Sequence, residues 1–123
     1  MGINDEMIKK SYTVAKKVYD NEIELSNGAY ILNMECNMDV NSAKDYIGAF
    51  LNMRNGEQYE RTIKDKANRY FLENIHKDYG YDGLQTALNA VRLHIEYQRG
   101  GGHNAVNYNV SIYEEFMRIR DAE

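Results

Sequence analysis

The chain has 123 residues, enough for one domain that hides about two-thirds of the surface its unfolded form exposes, so no metal or disulfide staple is needed to fold it. Fifteen Lys and Arg stand against nineteen Asp and Glu, and a net charge of −4 excludes a general long-range attraction to nucleic acid, leaving only local binding. The single cysteine, Cys36, excludes an intramolecular disulfide and any paired-cysteine metal or redox motif.

The start of the chain, MGINDEMIKK, lacks the apolar stretch of a signal peptide, and no run approaches the roughly eighteen apolar residues of a membrane span. The expectation is a cytoplasmic protein. Absence of proline suits long uninterrupted helices.

In chain order, Met7, Ile8, Tyr12, Ala15, Val18 and Tyr19 recur at three- and four-residue steps, the stripe of a first helix opened by Asn4 or Asp5 as N-cap. Ile23, Leu25, Ala29, Tyr30 and Leu32, with Met34 as an optional last member, predict a second, short helix with Gly28 as a weak point inside it. Ala43, Tyr46, Ile47, Phe50 and Leu51 predict a third, capped by Asp39 or Asn41 and ended near Gly56, which suits a left-handed C-terminal position.

Thr62-x-x-Asp65 resembles a capping box opening a fourth helix, whose inner face is Ile63, Ala67, Tyr70, Phe71 and Ile75 and which Gly80 closes. Asp82 then caps a fifth, with Leu84, Ala87, Leu88, Val91 and Ile95 inward. Gly100, Gly101 and Gly102 predict a flexible loop before a last helix carrying Val106 or Val110, Tyr113, Phe116 and Met117. No segment alternates apolar and polar residues as a strand does. The expected fold is all-α: one domain over residues 1–123, a compact bundle of five or six helices with short loops.

Catalytic chemistry is poorly represented. His76, His94 and His103 have no second histidine at metal-ligand spacing, so no metal is expected. His94, one turn before Tyr97, reads first as a partly buried histidine hydrogen-bonded to a tyrosine. The glycine run before His103 is not a phosphate loop, because the Lys-Ser/Thr ending and the preceding strand are missing. No enzyme and no cofactor are expected.

The stretch YERTIKDKANRYF, residues 59–71, is the most informative. Between Arg54 and Lys77 there are six cations and four acids, so this window is positive while the rest of the chain is −6. Arg54 and Tyr59 precede the fourth helix, Arg61 and Thr62 stand at its start, and Lys66 and Arg69 lie on its first turns. Together with the unpaired N–H groups of a helix start they form a candidate anion site, with Asn68 or Arg69 near base edges. The same residues also describe any capped, solvated helix, and spacing alone favours that plainer reading.

Beyond spacing, SAKDYIGAFLNMRNGEQYERT, ANRYFLENIHKDYG and LQTALNAVRLHIEYQ together resemble the helical N-terminal domain of bacterial HNH-type restriction endonucleases. The elements that carry the resemblance are Ser42, Ala43, Tyr46 and Ile47; Met53, Gly56, Tyr59, Arg61 and Thr62; Tyr70, Phe71, Leu72 and Ile75; His94, Ile95 and Tyr97; and residues 112–116. It extends from Ile8 onward, and its loop motif is more specific than its helix motifs. Lys64 stands where that family commonly has asparagine, and Glu24 where it has a hydroxyl.

The resemblance implies a DNA-recognition module with Tyr59, Arg61, Thr62, Tyr70 and His94 at the site. One cysteine and three scattered histidines are not expected to supply a ββα-metal nuclease centre. The leading expectation is therefore non-catalytic DNA recognition, Arg61, Lys66 and Arg69 holding phosphates while Tyr59 and Tyr70 stack or hydrogen-bond. The alternative is an anti-defence protein that engages a restriction or other defence-system protein or its nucleotide ligand, a reading the acidic total charge suits.

Overall fold

A computed structural model describes residues 2–101 and 106–122. It is all-α, with five helical segments and no strand among the described residues: α1 (Asp5–Tyr19), α2 (Leu25–Cys36), α3 (Val40–Asn55), α4 (Asp65–Gly101) and α5 (Val106–Asp121). Its contacts divide the chain into two compact units, Met1–Leu51 and Asn52–Glu123, and the division falls within α3. No described helix is long and apolar enough to cross a membrane.

In the first unit the signals for α1 act as expected, whereas α2 begins only after Ile23 and leaves Tyr30, expected on its apolar stripe, 60% exposed. The Asn4 side chain accepts a hydrogen bond from the Met7 N–H at 2.9 Å, capping α1, while Asp5 and Glu6 in the first turn and Lys16 and Lys17 in the last complement the helix dipole. The stripe of α1 buries Met7, Ile8, Tyr12 and Ala15 and leaves Val18 and Tyr19 half-buried. The Ser11 hydroxyl also lies inside, donating to Met38 Sδ at 3.4 Å. Gly28, weak by propensity, answers a packing need: a β-carbon there would stand 3.0 Å from Val14 and 3.2 Å from Ile47. Asn37 takes the left-handed conformation that ends α2, and the Asp39 carboxylate accepts from the Ser42 N–H at the start of α3. Edge-on packing of Tyr12 and Tyr19 against Phe50 joins α1 to α3.

The second unit is built on α4, whose 37 residues are broken once. Gly80, at φ 74° and ψ −162°, has a backbone conformation essentially reserved for glycine, so the expected end of one helix and start of the next survive as a sharp kink rather than a loop. All five core positions expected after the kink are buried, as are Ile63, Ala67, Phe71 and Ile75 before it; Tyr70 is half-buried. On α5 it is Ile112 and Phe116 that are buried, with Val110, Tyr113 and Met117 at the margin.

Gly100 and Gly101, expected in a loop, are the last residues of α4. Gly102 and His103 lie outside the described residues. Gly56, as expected, follows α3 with a positive φ of 69°.

Candidate functional site

Residues 56–64 link α3 to α4 without helical structure, and they are tied to α4 at several points. The Asn89 side chain donates to the Gly56 carbonyl at 2.9 Å. Tyr59 then turns inward, 3% exposed, and its ring stacks on His94 with centroids 4.1 Å apart and planes 13° apart. The Nδ1–H of His94 donates to the Tyr59 carbonyl; a carbonyl only accepts, so this contact selects the tautomer with hydrogen on Nδ1. Ile63 closes the stretch in the core.

From Tyr59 a series of polar side chains runs through the unit. The phenol donates to Asn68 Oδ1 at 3.1 Å, Asn68 Nδ2 donates to Asn109 Oδ1 at 3.1 Å, and Asn109 Nδ2 donates to Gln98 Oε1 at 2.6 Å. Gln98 Nε2 finally donates to the Thr62 hydroxyl oxygen at 2.9 Å, bringing the chain back to the linking stretch. Asn68, Gln98 and Asn109 are all buried, so these bonds satisfy groups that would be costly to leave unmade. Burial pushes the Tyr59 phenol above its ordinary value and keeps it neutral.

Of the residues expected at an anion site, Arg61, Thr62 and Lys66 are exposed. Tyr59 and His94 are inside, stacked on each other rather than offered to a base. Arg54 is half-buried with its guanidinium 3.6 Å from the centre of the Tyr79 ring. Arg69, also half-buried, pairs with Glu115 of α5; that hydrogen bond raises its already high pKa, with the Glu115 charge adding to it. Tyr70 is half-buried and its carbonyl accepts from the Asn74 side chain. Asn68, expected near base edges, is 1% exposed.

Thr62 does not cap α4. The helix begins at Asp65, and the Lys64 carbonyl accepts the Asn68 N–H at 3.0 Å, so Lys64 occupies the cap position. The reason is competition: Ile63 is drawn into the core and the Thr62 hydroxyl is bound by Gln98, which keeps both residues out of helical register.

Gln98 and Asn109 escaped the sequence reading. A signal for them existed, because amides at Asn68, Gln98 and Asn109 interrupt apolar stripes at three-residue steps from Phe71, Ile95 and Ile112. What the stripe does not disclose is that the three meet.

Compared with protein-family models, curated proteins and solved structures, the chain matches none.

Proposed function

We propose that residues 52–123 form a non-catalytic nucleic-acid recognition module, and that Arg61 and Lys66 are its phosphate contacts. The observation that carries this reading is the way residues 56–64 are held: buried Tyr59 and Ile63 and the bonded Thr62 hydroxyl anchor the stretch, while Arg61 between them is exposed. An anchored backbone spares the ordering cost that a mobile cationic loop meets on binding.

Residue choice points the same way. All seven arginines of the chain fall in 52–123, whereas the cations of residues 1–51 are lysines alone. A guanidinium presents a planar fork that matches a phosphate, which an ammonium does not. Among the described residues, four of the seven have protein partners: Arg54 on Tyr79, Arg69 on Glu115, Arg92 on Glu96 and Arg120 on Asp121. In this reading Tyr59 and His94 position the loop from behind and do not touch the ligand. The ligand is DNA, as the resemblance to restriction-endonuclease N-terminal domains implies.

Fluorescence anisotropy with labelled duplex DNA at about 50 and about 200 mM salt tests this, because each phosphate contact adds close to one unit to the slope of log affinity on log salt. Binding that weakens with salt, with the slope flattened by about one unit in Arg61→Ala, is the expected result. No binding by the natural protein at either salt overturns it.

A second reading, a partner protein of a defence system, has one observation of its own. On α2, Tyr30 and Met34 are one turn apart and 60% and 83% exposed.

A further inference from the structure

The polar chain behind the loop runs in one direction. Each member donates to the next, from the Tyr59 phenol through Asn68, Asn109 and Gln98 to Thr62. Turning over all three amides would preserve every pair of partners with donors and acceptors exchanged. The pairs alone therefore leave two directions open.

The two ends decide. In the reversed chain the Tyr59 oxygen would accept from Asn68, and its own proton would sit in the interior, where the phenol makes no second hydrogen bond to any described residue. A buried donor without an acceptor suffers its full desolvation penalty. Thr62 is exposed, so water can meet its hydroxyl in either direction. Among the described residues, only the direction that starts at the Tyr59 proton satisfies both ends.

We propose that this polarity makes Thr62 a dedicated outward donor: Gln98 occupies the acceptor side of its hydroxyl, and its O–H, beside Arg61, grips an anionic oxygen of the nucleic-acid backbone. The proposal rests on the nucleic-acid reading above and names a contact within that site. Tyr59, Asn68, Asn109 and Gln98 are positioning residues that act through Thr62. Bonds donated in series polarise one another, which strengthens the last donor in the row.

The direction is read first, without ligand. In a NOESY spectrum of the free protein the Gln98 Nε2 protons give cross-peaks to the Thr62 methyl group; cross-peaks from those protons to the Asn109 side chain in their place overturn the proposal. Tyr59→Phe removes the proton that sets the bias, and both sets of cross-peaks are then expected.

Duplex DNA is the probe for the donor itself, with thermal melts showing that each variant is folded. Thr62→Ser keeps the affinity. Thr62→Val loses about ten-fold or more, the loss typical of a hydrogen bond to a charged group, and leaves the salt slope unchanged because no cation is removed. A Thr62→Val protein that binds like the natural one overturns the donor role and leaves the nucleic-acid reading standing. Failure of the natural protein to bind overturns both.

Discussion

The Tyr59 ring lies nearly flat on the His94 imidazole, with centroids 4.1 Å apart, and His94 in turn holds the Tyr59 carbonyl through Nδ1. One buried side chain thus fixes both the ring and the backbone of the residue that leads into the cationic loop. His94→Ala removes a fully buried ring and a hydrogen bond together, and is expected to cost about 3 kcal/mol in urea denaturation. His94→Phe restores the ring but not the bond and should recover part of that loss.

Asn109 connects two amides that share no other partner among the described residues. Replacing it with Ala leaves Asn68 Nδ2 and Gln98 Oε1 buried and without their present partner. A loss of about 2 kcal/mol is expected. Asn68→Ala should cost a similar amount, and the double variant clearly less than the two losses added, because the members act as a unit. Melting temperatures of the three variants test the cycle.

Glycine substitutions differ in sign between the kink in α4 and the open face of α3. A β-carbon on Gly83 would stand 2.5 Å from Tyr79 Cβ, closer than real β-carbons approach, so Gly83→Ala forces the kink apart and is expected to cost about 1–3 kcal/mol. Gly80→Ala meets no neighbour but must adopt φ 74°, at a cost of about 1–3 kcal/mol. Gly48, inside α3 with nothing within 4 Å of its would-be β-carbon, should gain about 0.5–1 kcal/mol on replacement by Ala. Denaturant midpoints of the three variants check both signs.

Alkali should expose the buried phenol. Burial raises the Tyr59 value in the folded protein above its ordinary 10.0, so the unfolded chain gives up this proton first. The stabilising contribution is whole below pH 10 and is lost as the pH climbs from there through the folded-state value. Within that window the loss approaches about 1.4 kcal/mol per pH unit. Burial pushes the Cys36 thiol upward too, and its contribution begins to fall nearer its ordinary 9.0. Tyr59→Phe lacks only the phenol part, so the stability difference between the natural protein and the variant should shift towards the variant above pH 10.

What the residues determine by themselves is local. The all-α class follows from stripes at three- and four-residue steps, the start of α1 from Asn4 or Asp5, the end of α3 from Gly56 and the break in α4 from Gly80, because each depends on neighbours within one or two turns.

Tertiary structure decided which polar residues face in. Asn68 and Asn109 are 41 positions apart, and Gln98 and Thr62 are 36 apart, so no local pattern pairs them. Tyr59, Arg61 and Thr62 are adjacent in a motif that reads as a surface loop, yet Tyr59 is inside, Arg61 is out, and Thr62 is exposed but bonded inward rather than capping its helix. The physical reason is that a hydroxyl or an amide can satisfy itself locally, at a cap or in water, or at a distance, in a buried network. Only the packing of α4 with α5 supplies the distant partners that make the second choice the better one.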